Sequence, residues 1–152
     1  MQAIVKQDQE KKPWKGLILA AGNATRLYPV SMAISKHLIP IYDKPMIYYS
    51  ISTLMSIGLI NIILVVNEND LSVYRRCLGD GSQWGINIDY RIQTKSDGLA
   101  SAIELVSEDL NGCNVAMILG DNIFINSNPL FFRGYKDSFQ DGALGFTSQV
   151  AD

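Results

Sequence analysis

The stretch that decides the fold is KGLILAAGNATR, which occupies residues 15–26. Its first half, 15–20, is a short and continuous apolar run. Its second half, 21–26, is a loop of small residues that ends in an arginine. Short apolar runs of this kind are typical of strands buried on both faces of a sheet. The sequence therefore predicts a strand over 15–20, followed at once by a loop whose backbone can approach phosphate oxygens.

The same alternation of apolar run and helical period continues along the chain. Apolar residues at strand or helix spacing predict further strands at 61–67, 86–93, 114–120 and near 142–150. They predict helices at 45–57 (begun by Pro45 and ended by Gly58), from Asp70 to Gly79, from about Gly98 to Leu110, and near 129–139. We therefore predict an α/β protein, namely a Rossmann-like three-layer α/β/α sandwich around a mostly parallel sheet.

The composition limits the classes of protein that the chain can belong to. Its 152 residues fit one domain, and a hydrophobic fraction of 47% can supply a core. The net charge is −2 with no basic block, which argues against nucleic acid, and no apolar run approaches the roughly 20 residues that span a bilayer. Residues 1–14 are mixed polar and predict a flexible leader, which leaves 15–152 as the domain. Two cysteines without metal spacing or a secretory signal predict reduced thiols in a cytoplasmic protein.

Ligands of open α/β sheets bind beyond the carboxyl ends of the strands, which selects three places in this sequence. The first is the loop after the predicted strand at 15–20. There Gly22 and Thr25 offer backbone donors, and Arg26 offers a charged guanidinium that can donate two parallel hydrogen bonds. An ordinary strand-to-helix turn explains the loop equally well. The loop is neither a Walker loop nor a dinucleotide fingerprint, because the lysine and the further glycines are missing.

The other two places carry an amide and a carboxylate. Gln93 can offer a donor and an acceptor to a base edge, and Gly98 would let the backbone approach a flat ring. Alternatively, this segment is only the start of a helix capped by Asp97. Asp121 directly follows a predicted strand and can hold Mg²⁺, although a turn residue would look the same. Lys36 lies between these places in sequence, and a lone lysine is commonly solvated.

Together these residues form a pattern that resembles a known family. The run LILAAGNATRLYPVSMAISKHLIPIYDKPMIYYSISTLM (17–55) closely resembles the signature of sugar-1-phosphate nucleotidyltransferases. The phrases YDKPMIYY (42–49), LGDGSQWG (78–85), DGLA (97–100) and LGDN (119–122) are similar to the glucose-1-phosphate thymidylyltransferase branch of that family. The resemblance extends from Lys15 to about Val150.

The resemblance implies the nucleotide-diphospho-sugar transferase fold, here incomplete, and a reaction. A thymidylyl group would pass from dTTP to glucose-1-phosphate, giving dTDP-glucose and pyrophosphate, with Mg²⁺ as cofactor. Arg26 and Lys36 would be catalytic, because positioning and charge neutralisation dominate such transfers. The nucleotide would be bound by Leu19, Gly22, Thr25, Gln93 and Gly98, and the metal by Asp121.

The sequence departs from the family pattern at several points. Ala24 replaces a glycine in the loop and forbids an easy positive φ. His37 stands where the branch has glutamine, and we expect it to be packed or solvated rather than catalytic. Family members are roughly twice as long, and their second half supplies a further metal carboxylate, so we expect weak nucleotide binding and little or no catalysis by this chain alone. We also expect association through the uncovered surface or as a homo-oligomer. A non-catalytic nucleotide-binding module, a truncated remnant and a uridylyl relative remain alternatives.

Overall fold

The computed structural model describes residues 12–22, 24–94, 98–124 and 129–146. The strands are β1 Trp14–Ala20, β2 Pro40–Ile41, β3 Lys44–Pro45, β4 Asn61–Asn67, β5 Asn87–Gln93 and β6 Asn114–Leu119. The α-helices are α1 Val30–Ala33, α2 Ile47–Ser56, α3 Leu71–Leu78, α4 Leu99–Leu105, α5 Ser107–Leu110 and α6 Pro129–Ser138. Single 3₁₀ turns cover Thr25–Leu27, Lys36–Leu38, Glu68–Asp70 and Ser82–Trp84.

The main sheet has four parallel strands in the order β5-β4-β1-β6. All four carboxyl ends therefore lie along one edge, where Leu19 pairs with Leu119 of β6 and Asn67 pairs with Gln93 of β5. The short strands β2 and β3 form a separate antiparallel hairpin. The central strands β1 and β4 carry the continuous apolar runs and are buried on both faces, as the sequence predicts.

Helices cover both faces of the sheet and complete three layers. On one face, Ile18 and Leu64 pack with residues of α2 and α3, among which Tyr74 and Leu78 are fully buried. The opposite face carries Leu17, Leu19, Ile63 and Val65, which pack against Ala102 and Val106. Each fully buried Leu or Ile contributes about 1.5–3 kcal/mol relative to an exposed position, so this core holds the layers together. The predicted α/β/α architecture is confirmed.

The start of α2 differs from the prediction. Pro45 lies in β3 rather than in the first helical turn, and α2 begins at Ile47. The hairpin determines this boundary, because Pro45 pairs with Pro40 and the Met46 N–H donates to the Ile39 carbonyl at 3.1 Å. The end of α2 is as predicted, since the helix is followed by a residue with a positive φ of 79° at Gly58.

The predicted helix from Gly98 to Leu110 is broken into α4 and α5 at Val106. The Val106 N–H donates to the Ile103 carbonyl at 3.2 Å, which tightens the turn there. The apolar side chains of this segment are only partly buried. Ala102 and Val106 face the sheet, whereas Leu99 and Ile103 are substantially exposed.

The remaining boundaries show smaller differences. Asp70 precedes α3 as predicted, but its side chain makes no capping bond because a 3₁₀ turn leads directly into the helix. β1 begins at Trp14, inside the segment predicted as a leader, and the Trp14 ring contacts Phe139 with centroids 5.5 Å apart. Residues 141–146 form no strand, and the rest of the strand predicted near 142–150 lies outside the described residues, as do residues 1–11 and 95–97.

Two compositional predictions can be compared with the structure. Cys77 and Cys113 are both free thiols, as expected. Within the described ranges, no helix combines the length and apolar character needed to cross a bilayer.

Candidate nucleotide-binding site

A cavity of about 220 Å³ opens at the carboxyl edge of the sheet. A second groove of about 610 Å³ adjoins it, and the two share Gly22, Lys36 and Gln93 in their walls. The first cavity alone is smaller than the roughly 300–1,000 Å³ of ordinary ligand sites, but the continuous pair is large enough. The cavity extends from the end of β5 to the end of β6, which are three strand spacings, or about 14 Å, apart.

The floor and one wall of the cavity are apolar. Leu19 and Leu119 occupy paired positions on β1 and β6, and both line the cavity. Leu99 and Ala102 of α4 form the adjacent wall. A surface of this kind can accept the faces of a flat ring without competing for its polar edge.

Polar recognition at the β5 end comes from Gln93 and Gly98. Gln93 ends β5 and is only 8% exposed, and its Nε2 donates to the Gly98 carbonyl over a long 3.4 Å. Gly98 has a φ of +93°, and no atom lies within 4 Å of where a Cβ would be. The buried amide is therefore weakly engaged and keeps hydrogen-bonding capacity for a ligand beside an open stretch of backbone.

At the β6 end, the Lys36 ammonium and the Asp121 carboxylate form an ion pair in direct contact. Burial opposes ionisation of Asp121, but the hydrogen bond and the positive charge of Lys36 outweigh it. The pKa of Asp121 therefore lies below its ordinary value, and the carboxylate stays ionised. The two residues are 85 positions apart in sequence, and the sheet edge brings them together.

Backbone and hydroxyl contacts hold the turn that carries Asp121. The Gly120 N–H donates to the Leu19 carbonyl at 2.9 Å, and the Asn122 N–H donates to the Leu119 carbonyl at 3.1 Å. From α2, the buried Ser50 hydroxyl donates to the same Leu119 carbonyl at 3.2 Å. These bonds fix the carboxylate at the end of β6 before any ligand is present.

His37 lies in the same wall and is only 2% exposed. Burial, followed by the charge of Lys36, lowers the pKa of His37 from 6.5 to about 4 and outweighs the opposing effect of Asp121. Its Nδ1 lies 3.2 Å from both the Ser35 and the Tyr74 hydroxyl oxygens. This position agrees with the first of the two expected alternatives, a packed or a solvated histidine, but no sequence pattern indicates that the packed ring forms part of the cavity wall.

Only some of the residues predicted to bind the ligand from the loop after β1 line the cavities. Gly22 lines both cavities and Thr25 lines the larger groove, whereas Arg26 is exposed and lines neither. Ala24 adopts φ 47° and ψ 40°, which is the left-handed conformation that we expected its methyl group to disfavour. Asn23 lies outside the described residues. The loop therefore has the shape that a glycine would favour, at the cost of some backbone strain.

The structure thus brings most of the predicted site residues together. Six of them line the one cavity: Leu19, Gly22, Lys36, Gln93, Gly98 and Asp121. Thr25 lies beside them and Arg26 apart from them. Sequence reasoning did not identify His37 or Ser50 as parts of the site. The apolar spacing around His37 and Ser50 indicates only that these segments pack against the core. No rule of sequence spacing relates either residue to Asp121.

The donor set at the β6 end suits a hard cation only in part. Asp121 supplies the carboxylate oxygen that Mg²⁺ prefers. Within the described residues, however, no group of three or more His, Cys, Asp or Glu side chains could enclose a metal ion. Asp121 is therefore a candidate ligand, but the described part of the chain does not form a complete metal site around it.

Comparison with known proteins agrees with this picture. The family model for nucleotidyl transferases matches residues 15–144. A glucose-1-phosphate thymidylyltransferase of Neisseria meningitidis is 49% identical over 138 residues, covering 90% of this chain and 47% of the relative. One from Xanthomonas campestris is 46% identical over 138 residues, covering 91% of this chain and 47% of the relative. The chain spans about half the length of the curated relatives that it matches.

The chain also superposes on solved structures of similar proteins. A Bacillus anthracis protein assigned as a glucose-1-phosphate thymidylyltransferase superposes with a TM-score of 0.76 at 31% identity, covering 82% of this chain and 50% of that one. A UDP-glucose pyrophosphorylase bound to UDP-glucose superposes with a TM-score of 0.68 at 25% identity, covering 82% and 52%.

The parallel sheet and the cavity along its carboxyl edge define an open α/β domain, a class of protein that binds ligands at that edge. More specifically, the chain belongs to the nucleotidyl transferase family.

Proposed function

We propose that this chain is the nucleotide-binding half of an enzyme that transfers a thymidylyl group from dTTP to glucose-1-phosphate, releasing pyrophosphate. The observation that carries the proposal is the single cavity that joins a buried amide at one end to the Lys36–Asp121 pair at the other. A base can be recognised at the first end and phosphate groups at the second. The substrates dTTP and glucose-1-phosphate fit the names of the relatives, which are glucose-1-phosphate thymidylyltransferases.

The thymine would lie between the Leu19 floor and the α4 wall. Gln93 would bind the base edge through its amide, and the open backbone at Gly98 would allow the ring to approach closely. Gly22 and Thr25 would face the triphosphate from the loop. Arg26 would need the loop to fold inward, because its side chain is exposed without the ligand.

The reaction would be an in-line displacement in which the sugar phosphate oxygen attacks the α-phosphorus and pyrophosphate leaves. No covalent enzyme intermediate is needed, so the protein acts by positioning and by neutralising charge. Nucleotidyltransferases of this family generally use a divalent metal, and Mg²⁺ held by Asp121 would neutralise charge on the phosphates. Lys36 would bind phosphate oxygens near the reacting phosphorus.

Ligand binding would also have to break the Lys36–Asp121 ion pair. Without ligand, Lys36 and Asp121 neutralise each other. For Lys36 to bind phosphate and Asp121 to bind a cation, each has to exchange its present partner for an oppositely charged one. The pair therefore keeps both charges in place and compensated until the nucleotide and the metal arrive together.

Calorimetry with dTTP, UTP and Mg²⁺ tests the binding half of the proposal. We expect dTTP to bind, and we expect Gln93→Leu to weaken that binding while Gln83→Leu, which lies outside the cavity, leaves it unchanged. Pyrophosphate release, measured with glucose-1-phosphate in the presence and absence of a supplied second half, tests the catalytic half. No turnover even with the complement would contradict the catalytic claim.

One observation favours a second candidate, a nucleotide-binding module without catalysis. The described residues contain no group of three or more His, Cys, Asp or Glu side chains that could hold a metal ion. Binding of dTTP without turnover under any complementation would support this module. Tighter binding of UTP than dTTP would instead favour a uridylyl relative, in keeping with the similarity to the UDP-glucose pyrophosphorylase.

A further inference from the structure

Three polar groups form a closed cluster behind the cavity wall. His37 Nδ1 lies 3.2 Å from the Ser35 Oγ and 3.2 Å from the Tyr74 hydroxyl oxygen, and the two hydroxyl oxygens are 3.1 Å apart. All three residues are buried, with Tyr74 and His37 at 0% and 2% exposure. The cluster connects the segment after α1 to α3 and does not otherwise take part in the proposed reaction.

The number of protons in this cluster determines the tautomer of the imidazole. If Nδ1 carries no proton, one hydroxyl donates to Nδ1 and the other donates to its neighbour, so both hydroxyl protons have acceptors within the cluster. If Nδ1 carries a proton, one hydroxyl proton is left without an acceptor among these three groups. A buried donor without an acceptor costs about 1–3 kcal/mol. The neutral ring therefore keeps its proton on Nε2.

His37 lines the cavity, and Nε2 is the ring nitrogen that the cluster does not use. The hydrogen bonds described for His37 all use Nδ1. Among the described residues, the one buried side-chain atom left without a partner is Ser31 Oγ, so Nε2 is not sealed inside the protein. The adjacent ring carbon, Cδ2, would lie 2.9 Å from a Cβ placed on Gly120, the residue before Asp121. Nε2–H is therefore a donor on the β6 side of the cavity.

We propose that His37 donates a hydrogen bond from Nε2–H to a phosphate oxygen of the bound nucleotide, and that Ser35 and Tyr74 position it by fixing this tautomer. The inference rests on the proposed nucleotide site and adds a specific contact to it. A phosphate oxygen is the fitting acceptor, because this end of the cavity also holds the Lys36 ammonium and lies three strands away from Gln93. A neutral donor binds the anion without adding a second positive charge against Lys36.

Because the chain contains one histidine, its imidazole can be observed without assignment. In a ¹⁵N-histidine-labelled sample without ligand, we expect the spectrum of the tautomer protonated on Nε2. Addition of dTTP and Mg²⁺ should shift the Nε2 resonance more than that of Nδ1. Thymidine, which lacks phosphate, should leave Nε2 nearly unchanged. A ligand-free spectrum with the proton on Nδ1 would overturn the proposal at once.

The dTTP affinities of variants distinguish the proposed His37 hydrogen bond from an effect of side-chain packing. We expect His37→Leu to weaken dTTP binding roughly tenfold, the loss of one hydrogen bond to a charged group, and to leave thymidine binding unchanged. His37→Gln restores an N–H donor and should recover most of that affinity. The double variant Ser35→Ala/Tyr74→Phe should release the tautomer and reproduce much of the loss, with both nitrogens visible by NMR. Tyr48→Phe, which removes a hydroxyl bonded to the Cys77 carbonyl, is the matched control.

The outcomes separate this inference from the proposed function. If dTTP binds, its addition leaves Nε2 unperturbed and His37→Leu keeps full affinity, the contact is overturned and the nucleotide site stands. If dTTP does not bind the unaltered protein, the site and the contact are both contradicted, whereas the ligand-free spectrum still decides the tautomer. Thermal unfolding of each variant, compared with the parent chain, identifies any loss that comes from misfolding.

Discussion

Lys36 is central to the proposed phosphate chemistry, since it pairs with Asp121 and lines the cavity at the end proposed to bind phosphate. We predict that Lys36→Met lowers the rate of pyrophosphate release by an amount equivalent to about 3–4 kcal/mol, as for deletion of one preorganised donor. Complementation assays with steady-state kinetics measure this. An effect on KM alone, with kcat unchanged, would show that Lys36 binds ground state and transition state equally.

The pKa of Asp121 gives Lys36→Met a second measurable effect. A carboxyl whose folded pKa is depressed adds stability that is present above its unfolded pKa and is lost as the pH falls through the folded pKa. We therefore expect the parent chain to be more stable than Lys36→Met near neutral pH. The difference should shrink below the ordinary aspartate pKa of about 3.9. Urea unfolding midpoints of both proteins across the acid range test this, and a constant difference would contradict it.

His37 should give the stability of the chain a second pH dependence, which comes from burial of a neutral ring and not from an ion pair. A neutral histidine whose pKa is lowered from 6.5 to about 4 resists protonation in the fold, whereas the unfolded chain accepts the proton. Stability should therefore fall as the pH drops from 6.5 towards 4, by up to about 3 kcal/mol at about 1.4 kcal/mol per pKa unit. His37→Gln should remove this part of the slope in denaturant unfolding. An unchanged slope would show that folding does not lower the pKa of His37.

Ala24 carries a backbone conformation that suits glycine. Its φ of 47° places the methyl group in the left-handed region, which costs L-residues roughly 1–2 kcal/mol. We predict that Ala24→Gly stabilises the chain by about 0.5–1 kcal/mol, after allowance for the flexibility of glycine in the unfolded state. Ala33→Gly, at the end of α1, is the control and should destabilise slightly. Equal effects of the two changes would refute the strain argument.

At the scale of elements, the site depends on how closely the turn after β6 packs against the segment that carries Lys36. A Cβ on Gly120 would lie 2.9 Å from His37 Cδ2 and 3.2 Å from the Ala20 Cβ. We predict that Gly120→Ala costs about 1–3 kcal/mol of stability, because the buried neighbours have to move. Gly134→Ala in α6, where no atom lies within 4 Å, should be neutral or stabilising. Chemical denaturation of the two variants compares them directly.

The strands and helices also show which structural features can be predicted from the spacing of apolar residues. The apolar runs of β1 and β4 were predicted because strands buried on both faces need apolar side chains at every position. The boundary of α2 was not predicted, because the β2–β3 hairpin takes up Pro45 and no local rule contains that pairing. The break at Val106 was likewise invisible, since the sequence on both sides of it keeps a helical period.

At the scale of the whole molecule, β6 is an edge strand of the sheet within the described part of the chain. Among the described residues, β6 pairs with β1 alone, and Val115 and Met117 on it are 36% and 48% exposed. Such an edge favours association with another polypeptide. We predict that Met117→Lys lowers self-association at high concentration, measured by sedimentation, whereas Ile60→Lys at a site before β4 does not. Identical sedimentation of all three proteins as monomers would contradict this.

By itself, the sequence determined the layered α/β fold and the three places along the chain where a ligand could bind. It did so because strand burial and strand ends leave local patterns in apolar spacing and in small residues. Tertiary structure decided which of those residues meet. The pairing of Lys36 with Asp121 and the presence of His37 in the cavity wall depend on strand order and on the close approach at Gly120. These are long-range contacts, and they leave no trace in the spacing of residues along the chain.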